Sequence, residues 1–148
     1  MKEITTVIVP VDFLKQADKL VDYSITMAGK LSAVIHFLHV VSFPTGDAMM
    51  GAPFASDYEG KMLADAQVRM SNLVEDNSEK CKGCTGEVVI GEPVDKIVEI
   101  AKAKGSNLVI ISTHGAKGLE KILLGSVAER VLKQVHCPVL IMNPFKTK

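Results

Sequence analysis

Apolar runs rich in β-branched residues alternate with segments of helical period through the whole chain, and this alternation restricts the fold more than any other feature. The runs are Ile4 to Val9, Val34 to Val41, Thr85 to Ile90, Leu108 to Ile111 and Cys137 to Met142. The first is nearly all apolar, as suits a strand covered on both faces of a parallel sheet. Between the runs, Leu14, Ala17, Val21, Ile25, Ala28 and Leu31 repeat at helical spacing, as do Met62, Ala66, Met70 and Leu73 within residues 59–80. Val94, Ile97, Val98 and Ala101 form a third such face, and Val127 to Val135 carries a fourth helical pattern. Strand followed by helix, repeated to the end, calls for an α/β fold: a doubly wound parallel sheet with helices on both faces and right-handed crossovers. In such sheets ligands bind at the carboxyl ends of the strands, where the strand order reverses. No linker or composition shift divides the chain, so residues 1–148 read as a single domain.

The punctuation agrees with this alternation. Asp12 ends the first run, Gly91-Glu92-Pro93 ends the third, and Pro93 suits the first position of the helix that follows. Gly105 stops that helix and Asn107 leads into the fourth strand. Residues 42–57, with Pro44, Gly46, Gly51 and Pro53, form the one long stretch without a period. Two readings stand for it: a loose insertion, or a lid in which Met49, Met50 and Phe54 fold over something.

Charge argues against whole classes of partner. Lys plus Arg and Asp plus Glu both number 17, and no basic run interrupts the balance, so nucleic acid is a poor partner. Ile4 to Val11 is too short and interrupted for a signal peptide or a membrane span, and no other stretch is long enough, which predicts a cytoplasmic protein away from membranes. Three cysteines, an odd number, agree with a reducing compartment. The pair Cys81-Lys82-Gly83-Cys84 lies at a helix end before a strand, not at the helix N-terminus where redox pairs activate a thiolate. Zinc would need two further ligands, and His136 and Cys137 qualify only if the fold brings them close. The pair therefore reads as incidental surface cysteines. There is no Walker A loop, no GxGxxG run after a strand and no Gly-x-Ser-x-Gly elbow.

The segment with most chemical content is Ser112-Thr113-His114-Gly115, nine residues, then Gly125-Ser126 opening the last helix. A buried strand thus feeds a glycine turn, a loop and a helix N-terminus. The first N–H groups of a helix lack intrahelical partners and carry the positive end of its dipole, so they can hold a phosphate. Glycines at 115 and 125 would allow close backbone approach. If the first strand neighbours the fourth, Asp12 and residues 112–115 face one crevice.

At these residues the chain resembles the universal stress protein family over almost its entire length. The resemblance rests on Val7-Ile8-Val9-Pro10-Val11-Asp12-Phe13, His39-Val40, Gly91-Glu92-Pro93, Thr113-His114-Gly115, Gly125-Ser126 and Cys137-Pro138-Val139-Leu140-Ile141. It implies a five-stranded parallel sheet of order 3-2-1-4-5, and a homodimer formed through the last strand, Cys137 to Met142. One branch of the family binds ATP through Gly, two residues, Gly, nine residues, then Gly-Ser or Gly-Thr. Here Ser112 replaces the first glycine, while Gly115, Gly125 and Ser126 match. The serine either crowds the ligand or sits in ordinary strand geometry with a hydroxyl to offer.

The resemblance further implies that Pro10, Val11 and the backbone of Val40 line an adenine pocket and that Asp12 bonds a ribose hydroxyl. Gly115, Gly125, Ser126 and Val127 would hold the phosphates of ATP or AMP, with Mg²⁺ or Mn²⁺ bridging them, and Ser112 and His114 would belong to the same nucleotide site. Each residue also has a plain reading. Asp12 could cap the first helix, and Ser126-Val127-Ala128-Glu129 reads equally as a capping box. His114 has no paired nucleophile and reads as a structural hydrogen bond rather than a catalytic base. The implied function is nucleotide-dependent regulation in a stress response without efficient catalysis. A dimeric interaction protein without the nucleotide site stands second, and a slow ATPase third.

Overall fold

The computed structural model describes residues 2–43, 55–113 and 124–146. In chain order these form β1 (Thr6–Pro10), α1 (Ala17–Leu31), β2 (Val34–Val41), α2 (Ala55–Asn77), a 3-10 turn at Ser78–Lys80, β3 (Cys84–Ile90), α3 (Pro93–Ala103), β4 (Leu108–Ser112), α4 (Ser126–Gln134) and β5 (Val139–Met142). The sheet order is β3-β2-β1-β4-β5, and every pairing is parallel. The predicted doubly wound architecture is therefore present, with β1 at its centre and the order reversing between β1 and β4.

Alternation along the strands divides the interior in two. Val7, Val9, Ile35, Phe37 and Ile110 face a core closed by Leu20, Val21 and Ala28 of α1 and Met70 of α2. Their neighbours Ile8, Leu38, Val109 and Ile111 face a second core closed by Val94, Ile97 and Ala101 of α3 and Ala128 and Val131 of α4. Two buried faces explain why the first run lacks polar alternation. His36 is the buried polar residue of β2: its Nδ1 lies 2.7 Å from Thr85 Oγ1 and its Nε2 lies 2.8 Å from Glu87 Oε1, so the buried ring is satisfied from β3.

Asn107 aligns the two central strands. Its side-chain oxygen accepts from Thr5 N–H at 2.9 Å, Thr6 N–H at 3.1 Å and the Thr5 hydroxyl at 2.8 Å, while its own N–H donates to Thr6 O at 3.0 Å. The register that follows pairs Val7 with Leu108 and Ile8 with Val109.

Several boundaries differ from the periodicity. The helical repeat begins at Leu14, but α1 starts at Ala17, because Phe13 takes a left-handed φ of 58° and the chain turns before it coils. Leu14 lies outside the helix and is 46% exposed. β5 begins at Val139 rather than Cys137, since Pro138 has no N–H to give a ladder, although its carbonyl accepts from Val109. α2 starts at Ala55, inside the stretch read as a long loop, and residues 44–54, including Met49, Met50 and Phe54, lie outside the described residues. Among the described residues no helix is long and apolar enough to cross a membrane.

Ser24 of α1 is fully buried, and its hydroxyl has no hydrogen-bond partner among the described residues. An unpaired buried hydroxyl carries a desolvation cost that its removal relieves. Ser24→Ala is expected to raise unfolding free energy by about 1 kcal/mol, measured by urea denaturation; a destabilised variant would show that the hydroxyl is satisfied.

Candidate functional site

β1 ends in a hook that stops its ladder with β2 before β2 itself ends. The β1–β2 register closes at Pro10 and Leu38, and Val11 N–H makes the last ladder bond, to Leu38 O at 2.8 Å. Asp12 Oδ1 then accepts Leu14 N–H at 2.9 Å across the left-handed Phe13. His39 Nδ1–H donates to Val11 O at 2.7 Å, and its ring meets the Phe13 ring at 4.8 Å between centroids. That imidazole takes the acceptor a continuing ladder would have given to β2. Backbone groups alternate sides along a strand, so Val40, two residues past Leu38, points its N–H and C=O into the space β1 has vacated. Asp12 is thus the anchor of a turn rather than the cap of α1, whose N-cap is Gln16 without a side-chain bond.

β4 leaves the sheet through a backbone clasp. Ser112 pairs with Met142 in extended conformation, and Thr113 N–H bonds Met142 O at 2.9 Å. Thr113 O then accepts Gly125 N–H at 2.8 Å, bringing the start of α4 directly against the end of β4. A Cβ on residue 125 would stand 2.5 Å from that carbonyl oxygen. The close approach required of Gly125 is therefore made first to the protein's own backbone.

The capping box does not form. Gly125 is the N-cap of α4, with no side-chain capping bond, and Ser126 is already the first helical residue. Glu129 N–H bonds Gly125 O at 2.9 Å, while the Glu129 carboxylate turns away to Lys133 Nζ at 2.8 Å. The N–H groups of Ser126, Val127 and Ala128 precede that first helical bond. Ser126 and Val127 are exposed, so uncapped donors at a helix N-terminus face outward.

Pro10, Val11, Asp12, Val40, Ser112, Gly125, Ser126 and Val127 all lie at the carboxyl edge of the sheet or at the α4 N-terminus beside it. Continuing the β1–β4 register sets Ser112 level with Val11. Ser112 lies in a regular strand and is not among the described residues at positive φ, so it needs no glycine for backbone reasons. His114 and Gly115, with Lys117 and Lys121, lie outside the described residues.

Sequence reasoning missed His39 and Phe13 as the fastenings of the hook, and Thr113 as the acceptor of the clasp. It also missed Glu92, whose Oε2 accepts Asp95 N–H at 2.8 Å and whose Oε1 meets Arg130 NH1 at 3.0 Å. Glu92 thereby caps α3 and ties it to α4 one turn beyond Ser126. The Asp95 N–H is the main reason its carboxyl titrates below the ordinary 4.5, with Val94 N–H and Arg130 adding to it and desolvation opposing. Only the Gly91-Glu92-Pro93 turn hinted at this residue.

A doubly wound parallel sheet with an uncapped helix N-terminus at its β1/β4 switch point defines an α/β protein of the Rossmann-like class. The chain belongs to the universal stress protein family, whose model matches residues 3–143. It is 31% identical to Universal stress protein MJ0531 of Methanocaldococcus jannaschii, covering 95% of this chain and 82% of that relative. Among solved structures, universal stress protein UspA from Lactobacillus plantarum superposes with a TM-score of 0.84 at 20% identity, over 96% of this chain and 99% of that one. The universal stress protein from Archaeoglobus fulgidus in complex with dAMP superposes with a TM-score of 0.63 at 20% identity, over 95% and 98% of the two chains.

Two outcomes follow from the clasp and the cap. Gly125→Ala is expected to destabilise the protein by about 1–3 kcal/mol in urea denaturation, because the added methyl must displace the Thr113 carbonyl; unchanged stability would mean that the clasp yields freely. The Glu92 contribution is complete above pH 4.5, its ordinary value, and is lost as pH falls through its depressed value. The melting-temperature difference between wild type and Glu92→Gln should therefore shrink on acidification from pH 7 to 3, and a constant difference would remove the carboxylate from the account.

Proposed function

We propose that this chain is an adenine-nucleotide-binding regulatory module without efficient catalysis. The observation that carries the reading is one sheet edge holding three complementary features: the Asp12 carboxylate, the outward backbone groups of Val40, and the uncapped N–H groups of Ser126 and Val127. In this proposal Pro10, Val11 and Val40 take the adenine, Asp12 the ribose, and the α4 N-terminus with Gly125 the phosphates. Asp12 spends Oδ1 on Leu14 N–H, which leaves Oδ2 for a sugar hydroxyl. Ser112, His114 and Gly115 complete the phosphate surroundings. The dAMP complex of the Archaeoglobus relative supports an adenine nucleotide as the ligand class.

Phosphate charge would be met by backbone dipoles and by Mg²⁺ or Mn²⁺ shared among phosphate oxygens, since no group of three metal-ligating side chains occurs among the described residues. We assign the protein to the cytoplasm and to a homodimer through β5 as part of the same proposal. The replacement of the first motif glycine by Ser112 favours one alternative, a dimeric interaction protein that does not take nucleotide. Its extended geometry supports tolerance instead, because a regular strand residue needs no glycine there.

Calorimetric titration with ATP and AMP, with and without Mg²⁺, tests the reading directly. The chain has no Trp and two Tyr, so nucleotide retained through purification should dominate the absorbance at 260 nm. Asp12→Asn keeps an oxygen for Leu14 N–H and is expected to weaken binding about tenfold, the loss of one charge-assisted hydrogen bond. Ser112→Gly is expected to leave affinity unchanged. Absence of binding at millimolar nucleotide would overturn the proposal in favour of the interaction protein.

A further inference from the structure

We propose that Cys81 and Cys84 form a reversible dithiol–disulfide pair, a modification site for hydroperoxides at the amino-terminal edge of the sheet. The site lies at the opposite end of the strands from Asp12 and Ser126, and it stands independently of nucleotide binding.

The geometry differs from that of incidental surface cysteines. Both side chains are half-buried and pack against the core beneath α1 and α2. The chain bends at Cys81, Lys82 and Gly83 on its way from the 3-10 turn into β3. This loop is fastened on both sides: Gly83 O accepts Ile35 N–H at 2.8 Å, and Lys82 Nζ donates to Ser32 O at 3.2 Å. Gly83 is pressed so closely on β2 that a Cβ there would meet Val34 Cγ1 at 2.9 Å. The pinned loop and its two-residue spacer set Cys81 and Cys84 against the same core cluster, at one end of one short loop.

The pair is asymmetric. Burial and the adjoining Cys81 sulfur push the Cys84 thiol up to about 11, so Cys84 keeps its proton at neutral pH. Cys81 is then the sulfur that meets the oxidant. Its thiolate attacks one oxygen of the peroxide, the O–O bond breaks, and the leaving oxygen departs as hydroxide, which takes up a proton. The Cys84 sulfur, giving up its proton, attacks the resulting sulfenic acid; an S–S bond forms and the second oxygen leaves as water. Two thiols supply two electrons, and hydrogen peroxide is reduced to two waters. The pair follows a helix rather than preceding one, so no helix N-terminus activates the thiolate. That placement suits a stoichiometric sensor better than a turnover catalyst. With two sulfurs and no group of three ligands among the described residues, the pair lacks the donors of a structural zinc site.

Cys137 supplies an internal reference. It packs against the other core, across the sheet, far along the chain from any second cysteine.

The test uses the reduced full-length chain exposed to hydrogen peroxide, quenched with catalase and alkylated under denaturing conditions. Expected are a mass loss of about 2 Da, a fall in alkylatable thiols from three to one, and reversal by dithiothreitol. Before reduction, the tryptic dipeptide Cys81-Lys82 should remain attached to the peptide 83–96. In Cys84→Ser a sulfenic-acid probe should label Cys81, and in Cys81→Ser the same exposure should leave Cys84 unlabelled. Cys81 should be consumed at least about tenfold faster than Cys137. Retention of all three thiols, oxidation of Cys137 at the same rate, or equal labelling of Cys84 in Cys81→Ser would overturn the proposal.

Discussion

The placement of β1 is the constraint on which the rest of the molecule depends. Val7, Ile8 and Val9 have no exposed surface, and successive residues feed opposite cores, so β1 is fixed in register from both faces at once. A slip by one residue would exchange the two sets and set each against the wrong helices. Asn107 reinforces the alignment by joining the beginnings of β1 and β4 through four hydrogen bonds. With the starts aligned, the candidate edge follows from where each strand stops.

β1 and β4 stop in different ways, and the edge between them takes its shape from that difference. β1 hooks back through Phe13, whose left-handed φ of 58° costs roughly 1–2 kcal/mol for an aromatic residue. Three contacts offset that cost: Asp12 on Leu14 N–H, His39 on Val11 O, and the Phe13 ring on His39. β4 instead passes to α4 through the bond between Gly125 and Thr113. The hook leaves the Val40 backbone without a β1 partner, and the clasp brings the open end of α4 to the same edge. Glu92 and Arg130 then brace α4 against α3, so the orientation of the helix end is held by packing and by a charge pair.

The two ends of the sheet carry different chemistry. At the carboxyl ends, strands terminate at different levels and leave backbone groups outside the ladder. At the amino ends, the 81–84 loop lies tight against β2 and brings two free cysteines to that edge. Parallel pairing produces this separation, because every strand runs in one direction and every crossover returns on a helix.

Much of the fold was legible in the sequence because it depends on periodicity. The apolar runs, the helical spacings, Pro93 at the start of α3 and Gly105 after its end are local signals, and the family resemblance added the strand order. The candidate edge was legible for the same reason: Asp12, Ser112 and Ser126 follow runs whose ends the sequence marks. What sequence left open was how individual polar groups are used. Asp12 and Glu129 both had plausible capping roles, yet one anchors the hook and the other pairs with Lys133, because Gly125 takes the cap position. His39 meets Val11 across 28 residues of chain, and Glu92 meets Arg130 across 38. Sequence alone determined the alternation of elements and the backbone donors at their ends. Tertiary structure decided which donors stay open, because a hydrogen bond goes to whichever partner the packed strands bring within reach, and that partner is often distant along the chain.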